Sequence, residues 1–291
     1  MSRSLLPVPI QQRIEAFFAK KVTAAQQVHG GSINEALSIQ LGKDIFFLKY
    51  NTASKAHAML QAECMGLDHL AATNCIKTPE IILLDQVDRY SFLVLEFIDT
   101  IASTTKFELT FAQQLAALHQ QTNTYFGLDH SNYIGLLEQQ NNQHSNWISF
   151  YTQERLSPQF ESALAQRYFD RNATQLFERF CQNLNELIPA EQPSLIHGDL
   201  WSGNFLCNLH EEPILIDPAI AYAHREMDIA MSLLFGGLSD RFYHAYHEAF
   251  PMAPGWENRM AIFQLYYLLV HVNLFGHSYV PEVLRILQKY A

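Results

Sequence analysis

Asp199 and Asn204 stand five residues apart in the segment Leu195-Ile-His-Gly-Asp-Leu-Trp-Ser-Gly-Asn204, and Asp217 follows at the end of the apolar run from Pro213 to Ile216. These residue types suit phosphoryl transfer. The terminal phosphates of a nucleotide crowd several negative charges together, so a divalent cation must be held by hard oxygen ligands while a separate carboxylate orients the attacking hydroxyl. Asp199 has the place of that carboxylate. Asn204 offers a metal a neutral oxygen, and Asp217 offers an ionised one beside the β- and γ-phosphates. An Asp and an Asn at this spacing occur about once by chance in a chain of this length at average residue usage, so the pair alone decides nothing. Context sharpens it: an apolar entry at Leu195-Ile196, His197 two residues before Asp199, and a strand, turn and strand pattern over 205–207, 208–212 and 213–216. The plainer alternative is a solvated turn with incidental carboxylates.

Such groups need a frame. Residues 10–21 have helical apolar spacing at Ile14, Phe17 and Phe18, and 36–41 and 44–50 read as strands joined by the Gly42-Lys43 turn. Residues 54–72 return to helical periodicity with Ser54 as N-cap, and 81–84 and 92–97 are strand-like. From Asp99 onward helices are expected over 109–121, 146–154, 173–187, 227–234, 241–250, 257–275 and 280–290, with strands only around the Asp199 loop. The composition shift near 98–106 places a boundary between an N-terminal nucleotide-binding lobe, 1–98, and a helical catalytic and substrate-binding lobe, 99–291. The expected fold is α+β and two-lobed, with an antiparallel sheet and one key helix in the small lobe. A nucleotide cleft is expected between the lobes.

A phosphotransferase of this build needs, in its first lobe, a cation on a strand, a carboxylate on the following helix and a flexible turn over the phosphates. Lys49 ends the strand Ile45-Phe46-Phe47-Leu48, Glu63 lies in the next helix, and Gly30-Gly31-Ser32 precedes the first strand. Lys49 would hold the phosphates, Glu63 would orient Lys49, and the backbone N–H groups of the glycine turn would approach the phosphates. Glu96, Phe97 and Ile98, just before the boundary, would offer backbone hydrogen bonds to adenine. Each has an ordinary use too: an exposed strand-end lysine, a solvated helix glutamate, a hairpin glycine pair, a buried strand. Neither Gly-x-Gly-x-x-Gly nor Gly-x-x-x-x-Gly-Lys-Ser/Thr occurs, so the protein-kinase glycine loop and the P-loop are both excluded. Lys49, Asp199, Asn204 and Asp217 are expected to converge on one interlobe pocket.

At 291 residues and 48% hydrophobic content the chain can bury a full core. Its longest apolar stretch, 265–275, is interrupted by His271 and Asn273 and is shorter than the roughly 20 residues that span a bilayer. The first nine residues lack a signal-peptide core, so a cytoplasmic protein is expected. Cys64, Cys75, Cys181 and Cys207 lack Cys-x-x-Cys spacing and are expected to be reduced and buried. A net charge of −10 without a Lys/Arg cluster disfavours a nucleic-acid partner.

Beyond these residues, the segments His197-Gly-Asp-Leu-Trp-Ser-Gly-Asn204, Ile216-Asp-Pro-Ala219, Tyr222-Ala-His-Arg-Glu-Met-Asp228 and Leu234-Phe-Gly-Gly237 resemble the fructosamine (ketosamine) kinase family, in the aminoglycoside-phosphotransferase-like branch of the kinase fold. Further matches are Phe126-Gly127, Asn132-Tyr-Ile-Gly135, Trp147-Ile-Ser-Phe-Tyr151 and His271-Val-Asn-Leu-Phe-Gly276, so the resemblance spans nearly the whole chain. It implies ATP and Mg²⁺ as cofactors and a small-molecule or protein-bound ketosamine as substrate, phosphorylated on the sugar 3-hydroxyl in a deglycation repair. It also implies that Asp228 holds the Asp199 loop through its backbone, that Trp201 and His271 contact substrate, and that His197 braces the loop. Ser32 and Asn34 stand where some members carry a cysteine, so redox control through that turn is not expected. Asp217 is followed by Pro218-Ala219 with too little chain before Asp228 for a long activation loop, which disfavours a protein kinase. Kinases of the same fold acting on choline, aminoglycosides, homoserine or a thiosugar are the alternatives, followed by a metal-dependent phosphoesterase using His197, Asp199, Asp217 and Asp228.

Overall fold

The computed structural model describes residues 5–28 and 34–291. In chain order the elements begin with α1 (Val8–Phe18), β1 (Ala24–Gln27), β2 (Glu35–Leu41), β3 (Asp44–Asn51), α2 (Ala56–Ala72), β4 (Ile81–Val87), β5 (Tyr90–Glu96) and α3 (Thr105–His119). Next come β6 (Asn132–Ile134), β7 (Leu137–Gln139), α4 (Trp147–Phe150), a π-helical turn over Tyr151–Leu156, α5 (Ser157–Ala165) and α6 (Arg171–Leu187). The chain finishes with β8 (Ser194–Ile196), β9 (Phe205–Cys207), β10 (Pro213–Leu215), β11 (Ala221–Ala223), α7 (Glu226–Phe235), α8 (Asp240–Ala249), α9 (Trp256–Phe275) and α10 (Val280–Tyr290). Two compact units form: Met1–Phe107 with Phe205–Asp217, and Glu108–Asn204 with Pro218–Ala291. The architecture is α+β, with the antiparallel sheet in the N-terminal part and helices dominating the C-terminal part.

In the first unit five antiparallel strands lie in the order β1-β2-β3-β5-β4. Side chains alternate across a strand, so each face has its own core. Leu37, Ile39, Leu41, Leu48, Phe92 and Val94 pack with Leu6, Ile10 and Ile14 of the α1 segment. The opposite face sets Leu93 and Leu95 against Leu60, Cys64 and Leu67 of α2, with Phe47 beside them. Phe47 and Leu48 thus face opposite ways, and Lys49, next in line, falls on the α2 face. The Gly42-Lys43 turn joins β2 to β3 with Leu41 opposite Asp44, and Gly42 takes φ +69° as a glycine-first two-residue hairpin requires.

Several local expectations need correcting. Helix α2 starts at Ala56 with Lys55 at the N-cap and no side-chain cap, so Ser54 does not cap it; Asn51 instead accepts from the N–H groups of Thr52 and Ala53 in a turn before the helix. The sheet gains β1, whose Ala-Ala-Gln-Gln lacks any alternation, and β4 and β5 extend into a hairpin closed where Val87 faces Tyr90. Cys75 and Cys181 are half-buried, while Cys64 and Cys207 are buried. Burial pushes the Cys64 and Cys181 thiols up to about 12, which leaves them unreactive.

In the second unit α9 is the central helix, packing against α5, α7 and α10 and burying residues all around its circumference. The helical stretch opening at Asn146, whose side chain caps Ser149 N–H at 2.9 Å, continues through the π turn into α5 instead of ending at 154. Pro158 sits in the first turn of α5, where the π turn passes into the α-helix. Short strands also appear away from the Asp199 loop: β6 and β7 pair as a hairpin, and Asn132 of β6 donates to Ile220 O at 2.8 Å. Strand β8 pairs with β11 and delivers the chain to His197.

Candidate active site

On the α2 face of the first unit's sheet, Lys49 is 5% exposed. Its Nζ lies 2.7 Å from Glu63 Oε1 and also bonds Asp217 Oδ1. Glu63 lies three residues after Leu60 and four before Leu67, both on the inward stripe of α2, which aims it at β3. Burial acts to lower the Lys49 pKa, but the carboxylates of Asp217 and Glu63 outweigh it and hold the ammonium above its ordinary value. Burial pushes the Glu63 carboxyl up against the pull of that ammonium. A fixed positive charge between two carboxylates suits phosphate oxygens, because a phosphate can replace a carboxylate as the partner of the ammonium. Asp217 takes φ +53°, a conformation Asp tolerates better than most residues, just beyond β10. The β9–β10 hairpin that carries it is anchored in its own unit by Leu215 N–H to Lys77 O at 2.9 Å and Ile101 N–H to Cys207 O at 2.9 Å.

Glu96 is exposed at the end of β5, its side chain accepting from Glu80 N–H at 3.2 Å; Phe97 and Ile98 follow half-buried in irregular chain. Gly30, Gly31 and Ser32 lie outside the described residues.

The Asp199 loop belongs to the second unit and is fastened through its backbone. Asp228, fully buried in the first turn of α7, accepts from His197 N–H at 2.7 Å and Gly198 N–H at 2.8 Å. Tyr267 of α9 donates to Gly198 O at 3.0 Å, and Ala219 N–H donates to His197 O at 2.9 Å. Gly198 itself has φ +86°, and a Cβ there would lie 2.0 Å from Ala219 O, so glycine is required on two grounds. Asp199 N–H donates to His197 Nδ1 at 3.2 Å, which puts the His197 proton on Nε2. Asn204 Nδ2 donates to Asp199 O at 2.8 Å and Asp199 Oδ2 at 3.0 Å. These bonds use both donors of the amide, whose oxygen can only accept or ligate.

Sequence reasoning passed over His119 and Tyr267. His119 Nε2 lies 3.2 Å from Asp228 Oδ2 and its Nδ1 2.7 Å from Tyr246 Oη, so a line of buried polar groups runs from α8 through α3 to the loop. The only trace in the sequence is a histidine on the apolar helix containing Leu115 and Leu118, an ordinary core position. Trp201 folds its indole over Gly203, where a Cβ would come within 2.4 Å of the ring. His271 Nδ1 lies 2.8 Å from Tyr267 O, so it donates there and leaves Nε2 as an acceptor, and burial lowers the pKa of the ring.

Taken by units, the described residues bring Lys49, Glu63 and Asp217 together in the first, and Asp199, Asn204, His197 and Asp228 in the second. The antiparallel sheet of the first unit and the helices of the second have the protein-kinase-like fold of small-molecule phosphotransferases. Aminoglycoside phosphotransferase APH(4)-Ia, in ternary complex with ADP and hygromycin B, shares that fold at TM-score 0.62, with 14% identity and coverage of 98% of this chain and 99% of that one. The chain belongs to the fructosamine kinase family, whose model matches residues 8–291. It is 38% identical over 271 residues to the "Probable ketoamine kinase" of Lactiplantibacillus plantarum, covering 92% of this chain and 95% of that protein. The chloroplastic protein-ribulosamine 3-kinase of Arabidopsis thaliana is 35% identical over 277 residues, 94% of this chain and 84% of that one. A crystal structure from Thermobifida fusca, of a chain assigned as a fructosamine-3-kinase, superposes at TM-score 0.85 with 31% identity over 96% of this chain and 97% of that one. No helix among the described residues is long and apolar enough to cross a membrane.

Proposed function

We propose that this enzyme transfers the γ-phosphate of ATP to the 3-hydroxyl of the sugar in a ketosamine, a deglycation activity carried out in the cytoplasm. The observation that carries the catalytic part is the fastening of the Asp199 loop by Asp228, which holds one carboxylate at a fixed place on a rigid element. Asp199 orients the attacking hydroxyl and accepts its proton. Lys49, steadied by Glu63, holds the α- and β-phosphates, while the glycine turn at Gly30-Gly31-Ser32 and the backbone of Glu96-Phe97-Ile98 serve the nucleotide.

By their chemistry Asp217, with a carboxylate oxygen, and Asn204, with an amide oxygen whose own nitrogen is engaged by Asp199, would hold Mg²⁺. Bound there, the ion would neutralise charge on the phosphates. Asn204 immediately precedes the first-unit segment Phe205–Asp217, and Asp217 ends it, so both proposed ligands flank one short hairpin in the chain. Trp201 offers an aromatic face to the sugar, and His271 Nε2 can accept from one of its hydroxyls. The cytoplasmic placement agrees with the thiols of Cys64 and Cys181, which desolvation holds far above the range of a reactive thiolate.

ATP consumption with synthetic fructosamine and ribulosamine, set against choline, an aminoglycoside, homoserine and a thiosugar, tests the substrate class. Turnover is expected with the ketosamines; stimulation only by choline or the aminoglycoside would overturn the assignment.

A further inference from the structure

Helix α7 ends at Phe235 and α9 ends at Phe275, and their last turns contain no basic residue. The two ends meet through aromatic rings: His271 stacks on Phe235 with centroids 4.6 Å apart, and lies 5.3 Å from Phe275 and 4.9 Å from Tyr279. Phe275 is 55% exposed although it belongs to this cluster. The chain leaving Phe235 runs directly onto the Asp199 loop, because a Cβ on Gly237 would lie 2.4 Å from Ser202 Cβ. The cluster is therefore continuous with the catalytic segment of its own unit.

We infer that Phe235, His271, Phe275 and Tyr279 form the subsite for the protonated amine of the ketosamine, a step that rests on the function proposed above. The ketosamine nitrogen is a basic secondary amine on carbon 1 of the sugar, one carbon from its ring, so in its charged form it seeks negative potential without a desolvated anion. Ring faces supply that potential through their quadrupoles, and helix C-termini supply it through their unsatisfied carbonyls. Burial lowers the His271 pKa, which works against a second positive charge beside the ammonium. Carboxylate-bearing groups placed here would meet the same field with the wrong sign.

The test compares the ketosamine of benzylamine with the matching benzyl ether of the sugar, which keeps the shape and removes the charge. Wild type is expected to favour the amine in kcat/KM by about tenfold, and Phe275→Leu, which keeps apolar bulk but removes the ring, is expected to cut that ratio to about twofold. Phe275 is exposed, so the variant should fold; circular dichroism checks this, and Tyr279→Leu should shift the ratio the same way. An unchanged ratio in both variants overturns the inference. Equal use of amine and ether by wild type overturns it while leaving the ketosamine kinase reading intact, whereas phosphorylation of neither by folded enzyme overturns both.

Discussion

Replacing Asp228 by Asn tests the fastening of the catalytic loop with the least change in shape. The carboxylate is fully buried and receives His197 N–H, Gly198 N–H and the His119 ring nitrogen. An amide keeps one acceptor oxygen, but its NH₂ must then face an N–H. One charge-assisted bond worth about 1.5–3 kcal/mol is lost, and a buried donor facing a donor adds about 1–3 kcal/mol, for a total of about 2.5–6 kcal/mol. If about 3 kcal/mol of that falls on the geometry of Asp199, kcat drops roughly a hundredfold. Loop mispositioning leaves Lys49 untouched, so the KM for ATP should change less than about threefold. Steady-state kinetics in a coupled ATP assay, with circular dichroism to confirm folding, provides the readout. A folded Asp228→Asn enzyme with kcat within threefold of wild type would refute the reasoning.

Other perturbations follow from the same geometry. Lys49→Met keeps the volume but leaves Glu63 and Asp217 without their cation, and should raise the KM for ATP at least about tenfold, read by nucleotide titration. Gly198→Ala and Gly42→Ala share a positive φ but differ in surroundings: the first meets Ala219 O at 2.0 Å and should lose soluble expression or activity, while the second meets nothing within 4 Å and should cost only about 1–2 kcal/mol in urea unfolding. His224, fully buried against Trp147 and Phe263 and near Glu191, Arg225 and Arg259, has its pKa lowered by burial to about 4. The unfolded chain therefore takes up a proton below about pH 6.5 that the folded one refuses until about pH 4, and stability should fall over that window by up to about 3 kcal/mol. Urea midpoints from pH 7.5 to 4.5 should show this slope, reduced in His224→Gln.

The elements that carry chemistry were legible where one periodicity fixed one face. Lys49 follows the alternation of Phe47 and Leu48, and Glu63 follows the helical spacing of Leu60 and Leu67, so pattern alone aims both side chains. The Asp199 to Asn204 spacing was legible because loop chemistry is written in consecutive residues. Features set by tertiary contact left little trace: β1 is a polar edge strand held by its pairing with β2, and α5 carries in its first turn a proline that also suits a helix end. His119 acquires its place only through residues far away in sequence, Asp228 and Tyr246. The return of Phe205–Asp217 to the first unit depends on backbone bonds to Lys77 and Ile101, which no local pattern announces.

The central claim, a phosphate placed on a sugar hydroxyl under the control of Asp199, is tested most directly by product analysis. A glycated peptide incubated with the enzyme, ATP and Mg²⁺ should gain one phosphate, located on carbon 3 of the sugar by phosphorus–proton correlation, and folded Asp199→Asn that still binds ATP should form none. Phosphate on the peptide's own side chains, or undiminished product from Asp199→Asn, would contradict the account.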